Sequence, residues 1–123
     1  MSSKPKNPAA PAGILTPEQA IEKYTAETKS QATAANYLEL GVAYYVAQRW
    51  QDAIHAFEQT IALDPKQAFA YYSLGILYAS QGQRDKADAA LAQVLQVSNN
   101  PMLKEQAKAR IPNIKSVADL GSK

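Results

Sequence analysis

Two glycines, Gly41 and Gly75, lie 34 residues apart in matching surroundings. Residues 37–44 read YLELGVAY and residues 71–78 read YYSLGILY. An internal repeat of this length predicts a stack of helical hairpins, each of which buries its apolar face against the next. We therefore expect an all-α protein, a short right-handed helical-hairpin solenoid of about six helices, and not a closed globule with a buried active site.

The composition of the chain limits the kinds of fold, metal site and partner that it can have. The chain has 123 residues, 46% of them hydrophobic, which suits one small folded domain. It has no Cys, so disulfides and thiolate-bound metals are excluded. A formal net charge of +2 is too small to favour a nucleic-acid partner. We find no apolar run of membrane-spanning length and no signal peptide, and we expect a cytoplasmic protein.

Local signals divide the chain into three parts. Residues 1–15 are rich in Pro, Ala and Lys and are predicted to be a disordered tail. Thr16, Pro17 and Gln19 predict a helix start with a capping box, which opens a helical domain over residues 16–112. Residues 113–123 are predicted to be a flexible tail. Apolar periodicity and stop signals predict helices over residues 17–29, from 34 to a turn at 48–51, from there to 64, and over 68–80, 85–97 and 101–110.

The two copies resemble the tetratricopeptide repeat, a helix–turn–helix hairpin of 34 residues. The resemblance covers about residues 34–101, as repeats at about 34–67 and 68–101 followed by a capping helix at 101–111. It implies that Gly41 and Gly75 lie where the two helices of each hairpin come closest, opposite Ala53 and Ala87. The repeat-packing residues that match the family pattern are Tyr37, Leu40, Gly41, Tyr44, Ala53 and Phe57 in the first copy and Tyr71, Leu74, Gly75, Tyr78, Ala87 and Leu91 in the second.

The resemblance also implies a binding groove, because family members usually hold ligands on the concave face formed by the first helix of each hairpin. Carried over by position, the groove residues are Leu38, Val42, Tyr45, Val46, Phe69, Tyr72, Ile76 and Ala79. The chaperone-binding members place Lys and Asn where this chain has Leu38 and Val42, so binding of an acidic chaperone tail is not expected. The occupant is left open between a partner segment, the chain's own Ile14-Leu15 or residues 114–120, and a second copy.

No residue pattern indicates catalysis. The single histidine, His55, is expected to be exposed, and Asp85 and Asp88 fit the first turn of a helix. We see no phosphate loop, metal cluster or nucleophile with a base, and we predict no enzyme activity, no cofactor and no metal. The sequence predicts a protein–protein interaction module, an adaptor or assembly scaffold that binds an apolar or amphipathic segment of an unknown protein or peptide partner. The alternative is a constitutive structural subunit, held by its convex face or its basic tails.

Overall fold

A computed structural model of the protein describes residues 13–111, which form six helices and no strand. The predicted all-α fold class is confirmed. Residues 1–12 of the predicted N-terminal tail and all of the predicted tail at 113–123 lie outside the described residues. The helices are α1 (Pro17–Ser30), α2 (Ala34–Val46), α3 (Trp50–Leu63), α4 (Ala68–Ser80), α5 (Arg84–Val97) and α6 (Pro101–Ala109).

The start of α1 follows from local chemistry. The Thr16 hydroxyl oxygen accepts a hydrogen bond from the Gln19 N–H at 3.1 Å, and the Gln19 side chain accepts from the Thr16 N–H at 2.9 Å. This reciprocal pair is the predicted capping box, which is thereby confirmed, and it satisfies two donors that a helix start leaves unpaired. Pro17 fits directly behind it, since a first-turn residue needs no N–H partner.

The turn between α2 and α3 is shorter than predicted. Trp50 and Gln51 were assigned to this turn, whereas they are the first two residues of α3. The chain reverses so quickly because Gln48 has a left-handed backbone, with φ of 63°. The equivalent residue 34 positions later is Gly82, with φ of 77°. A side chain at this position costs about 1 kcal/mol, which glycine avoids in the second hairpin.

The paired glycines lie at the contact between the two helices of each hairpin. A Cβ atom placed on Gly41 would lie 2.7 Å from Cε1 of the Phe57 ring, and one on Gly75 would lie 2.6 Å from Cγ of Leu91. Ala53 and Ala87 were expected opposite these glycines, whereas the nearest side chains belong to Phe57 and Leu91, one helical turn further along α3 and α5. The carbonyl oxygen of Ala87 also lies 3.4 Å from the Cβ position on Gly75.

The core forms two buried clusters that follow the order of the helices. The first links α3, α4 and α5, and consists of Ala53, Ile54, Phe57, Ala70, Leu74, Leu77, Tyr78, Ala87 and Ala90. The second links α5 to α6, and consists of Leu91, Val94, Leu95, Ala107 and Ile111. Of the family-pattern residues, Tyr37, Tyr44 and Tyr71 are half-buried and the other nine are buried. The helix α6 therefore covers the end of the stack that α5 would otherwise expose.

At the other end of the stack, α1 packs on α2. Its polar second half contributes one buried residue, Thr28, whose hydroxyl donates a 2.9 Å hydrogen bond to the carbonyl oxygen of Thr25. That local bond satisfies the buried hydroxyl within α1 itself. Among the helices between residues 13 and 111, none is both long enough and apolar enough to cross a membrane.

Candidate functional site

An apolar cavity of about 210 Å³ lies between α2 and α4, and we call it the α2–α4 groove. Its sides come from residues at helical spacing: two on α2, three positions apart, and three on α4, at steps of three and four. Such steps place side chains on one helix face. Phe57 from α3 and the buried Ser73 complete the lining. The full lining is Val42, Tyr45, Phe57, Phe69, Tyr72, Ser73 and Ile76.

Two of the four aromatic side chains that line this groove are open to solvent. Phe69 is 44% exposed and Tyr45 is 37% exposed, whereas the floor residue Phe57 is 1% exposed. Large apolar residues with this exposure gain free energy when another apolar surface covers them, at about 25 cal/mol per Å². The groove can therefore take up an apolar side chain between a rigid floor and two exposed aromatic walls.

The structure brings together five of the eight residues predicted for the groove, and separates the other three. Val46 lines a different cavity, between α1 and α2, because it lies one position after Tyr45 and so points about 100° away around the helix. Leu38 and Ala79 are half-buried and pack against the first core cluster. The five residues that line the α2–α4 groove are Val42, Tyr45, Phe69, Tyr72 and Ile76.

A cation at the edge of the groove was missed by the sequence interpretation. The guanidinium carbon of Arg110 lies 5.7 Å from the centroid of the Tyr72 ring, and Nε of Arg110 donates a 2.9 Å hydrogen bond to the Tyr72 hydroxyl. The main-chain carbonyl of Arg110 in turn accepts a hydrogen bond from Arg84. The repeat period could have found this residue, since Arg110 stands 34 positions after Ile76.

Trp50 lies at the opposite edge of the groove. Its ring meets the Tyr45 ring edge-on, with centroids 5.4 Å apart. Such aromatic pairs add about 0.5–1.5 kcal/mol beyond their buried area. Because Trp50 is the first residue of α3, the start of that helix packs against Tyr45, an aromatic side of the groove. The second hairpin has Ala79 and Arg84 at these two positions, so this aromatic edge belongs to the first hairpin alone.

A polar cluster lies outside the groove, between α3, α4 and α5. The Tyr78 hydroxyl donates a 2.6 Å hydrogen bond to Oε2 of Glu58, and Nζ of Lys86 lies 4.8 Å from the Tyr78 ring centroid. Burial above all, and then the hydrogen bond and the charge of Glu58, raise the pKa of Tyr78 above its ordinary value of 10. A tyrosine held neutral in this way acts as a hydrogen-bond donor that ties α4 to α3.

This pKa has a consequence for stability in alkaline solution. The unfolded chain ionises Tyr78 near pH 10 while the folded chain keeps the proton, so the free energy of unfolding falls as the pH rises above 10. The slope approaches about 1.4 kcal/mol per pH unit. Urea unfolding between about pH 9 and pH 11 should show a steeper loss for the wild-type protein than for Tyr78→Phe. Parallel curves would contradict this interpretation of the Tyr78–Glu58 pair.

The chemistry of the described residues otherwise offers little for catalysis. His55 is exposed on α3, as expected, at the edge of the polar cluster. Between residues 13 and 111, no three His, Cys, Asp or Glu side chains come together in a way that could hold a metal ion.

Comparison with known proteins agrees with the helical-hairpin architecture. A family model described as "TPR repeat" matches residues 41–82, and another described as "Tetratricopeptide repeat" matches residues 69–97. A search of curated proteins finds no match. Among solved structures, the crystal structure of MamA is similar, with a TM-score of 0.65 and 28% sequence identity. That match covers 77% of this chain and 64% of the MamA chain, so this chain spans less than two thirds of it.

Two family models thus match the part of the chain that folds as paired hairpins, and their repeats generally mediate protein–protein interactions without catalysis. The resemblance drawn from the glycine period is therefore confirmed: residues 41–97 of this chain carry tetratricopeptide repeats.

Proposed function

We propose that this protein is a non-catalytic adaptor or assembly scaffold that binds an apolar or amphipathic segment of another protein in the α2–α4 groove. One observation carries the proposal: two exposed aromatic side chains, Tyr45 and Phe69, and half-buried apolar side chains from two repeats line a single cavity over a buried floor. Exposing apolar side chains to water does not stabilise the fold of the protein itself. Clusters of exposed apolar residues are typical of interaction sites.

The size and chemistry of the groove indicate how a partner would be held. An apolar cavity of about 150 Å³ takes up a benzene molecule, so about 210 Å³ accommodates one large side chain such as leucine or phenylalanine. Tyr45 and Tyr72 would flank that side chain and keep their hydroxyls toward water. Aromatic residues in this setting dominate the binding energy of many interfaces.

Affinity capture with quantitative mass spectrometry tests this proposal. The intact protein, Tyr72→Ala and Tyr71→Ala would be compared as baits. The two tyrosines are neighbours on α4 and both pack partly on the second core cluster, but only Tyr72 lines the groove. Tyr71 lines a depression on the other side of α4, with Ile61 and Ala89. We expect partners that Tyr72→Ala loses and Tyr71→Ala retains.

The same experiment separates the adaptor from the structural subunit. A partner that copurifies in fixed stoichiometry with all three baits would remove the groove from the function and favour a subunit held elsewhere on its surface. A further bait that lacks residues 1–13 measures how much the basic N-terminal segment contributes to partner binding. Loss of every partner on this deletion, with Tyr72→Ala unaffected, would assign binding to that segment.

A further inference from the structure

A second apolar cavity adjoins the α2–α4 groove. It has a volume of about 180 Å³ and lies between α1 and α2, and we call it the α1–α2 cavity. Leu15 and Val46 line it and are 43% and 59% exposed, and Val42 lines both it and the α2–α4 groove. The apolar surface therefore continues from α1 across α2 to α4. The lining of the α1–α2 cavity is Leu15, Pro17, Ala20, Tyr24, Glu39, Val42, Ala43 and Val46.

The separation of the two cavities selects a partner geometry. They lie on either side of α2, so their centres are separated by about one helix-packing distance, roughly 8–10 Å. On a partner helix, side chains seven positions apart share a face and lie about 10.5 Å apart along the axis. Side chains four positions apart are only about 6 Å apart, too close to reach both cavities. A helix that crosses α2 fits with anchors at positions i and i+7.

The charges at the two ends of this surface are opposite. Glu39 lines the α1–α2 cavity and is exposed. Arg110, also exposed, lies against Tyr72 at the α2–α4 groove, and its Nε–H is the donor that Tyr72 accepts. A guanidinium has five N–H donors, and among residues 13–111 the Tyr72 hydroxyl accepts one of them, which leaves four to face a carboxylate. A complementary partner would carry a basic residue beyond one anchor and an acidic residue beyond the other.

We propose that the two cavities act as paired subsites for one amphipathic partner helix. Two large apolar side chains seven positions apart would fill them, with a basic residue near Glu39 and an acidic residue near Arg110. This inference rests on the proposed function and adds the conformation, anchor spacing and charge order of the partner. The opposite charges at its two ends favour such a helix over a wholly apolar occupant, such as a membrane or a detergent-like lipid tail.

Designed peptides test the spacing directly. Alanine-based peptides of about 18 residues are long enough to be partly helical in water. One peptide carries leucines seven positions apart, with Lys at one end and Glu at the other. A second peptide of the same composition carries them four positions apart, and a third has a single leucine. Calorimetry with the full chain should show the first peptide binding about tenfold tighter than the other two, since only it fills both cavities.

Variants of the protein identify the subsites. Val46→Asp in the α1–α2 cavity and Ile76→Asp in the α2–α4 groove should each weaken the first peptide about tenfold. Leu63→Asp, at an exposed apolar position outside both linings, is the matched control and should leave it unchanged. Arg110→Glu should bind a peptide with Lys at both ends more tightly than the original one, whereas the wild-type protein should prefer the original.

The outcomes separate this inference from the proposed function. Equal affinity for all three peptides, sensitive to Ile76→Asp alone, would overturn the paired subsites and leave the α2–α4 groove as the binding site. Binding insensitive to both Val46→Asp and Ile76→Asp would overturn the two together. Peptide binding seen only when Ile114, Val117 and Leu120 are replaced by serine would assign the surface to the chain's own segment. A wild-type dimer that Ile76→Asp dissociates would assign it to a second copy.

Discussion

Phe57→Ala is expected to lower the free energy of unfolding by about 3–5 kcal/mol. The Phe57 ring is 1% exposed and belongs to the first core cluster. It also lies under the space beside Gly41 and forms the floor of the α2–α4 groove. Removing it leaves a cavity at the contact between α2 and α3 that surrounding helices cannot fully close. Urea unfolding monitored by circular dichroism measures the loss.

A compensating substitution makes this prediction specific to the hairpin contact. In the Phe57→Ala background, Gly41→Leu would place a side chain in the vacated space, so it should restore part of the lost stability. In the wild-type background the same change meets the Phe57 ring and should destabilise the protein. The two effects would therefore differ by about 1–3 kcal/mol, as for residues in direct contact. Additive effects of the two substitutions would contradict the contact between Gly41 and Phe57.

Gly75→Leu is expected to destabilise the second hairpin by a net amount of about 2 kcal/mol. Its Cβ would lie 2.6 Å from Cγ of Leu91, a side chain that is 1% exposed and packed in the second core cluster. Overpacking of this kind costs roughly 3 kcal/mol at its upper range, and the better helix propensity of leucine returns about 0.8 kcal/mol. Packing therefore outweighs propensity.

Ala62→Leu is the matched control, because it adds a leucine at an exposed position of α3. Surface substitutions of this type change stability by no more than about 0.5 kcal/mol. Thermal unfolding of both variants gives the comparison. If Gly75→Leu proved as stable as the control, glycine at the 34-residue period would have no role in packing the hairpin.

Most of the fold could be predicted from local signals and the repeat period. The start of α1 depends on three adjacent residues, and the end of α3 depends on Pro65, which disfavours helical geometry in the residue before it. Errors arose where the outcome depended on contacts between helices. Ala53 was expected opposite Gly41, whereas the nearest side chain is the ring of Phe57, because a sequence pattern does not show how far a side chain reaches.

The candidate site was less predictable than the fold. The resemblance to the concave face of the family implied the five residues that line the α2–α4 groove, of which only Val42 and Ile76 occupy equivalent positions of the repeat. It failed for Val46, because adjacent residues on one helix diverge by about 100°. The Arg110–Tyr72 contact joins residues 38 positions apart, and it exists only because α6 packs on α5. No local pattern around Arg110 indicates it.

Substitutions at the helix contacts and substitutions at the groove should affect different properties of the protein. Gly41, Gly75 and Phe57 set the contact between the helices of each hairpin, so their replacement should change stability. Phe69 and Tyr45 are exposed, so their replacement should change binding with little change in stability. An interaction module requires that partner binding depends on the exposed aromatic residues while the stability of the fold does not.

Calorimetric affinity for a captured partner segment, synthesised as a peptide, tests binding in the α2–α4 groove most directly. The peptide is titrated into the wild-type protein, Tyr72→Ala and Tyr71→Ala. The two variants lose the same side chain at neighbouring positions that lie on different faces of α4. We predict that Tyr72→Ala weakens binding at least tenfold, about 1.4 kcal/mol, and that Tyr71→Ala changes it less than about threefold. Equal affinity for all three proteins, or an equal loss in both variants, would contradict binding in this groove.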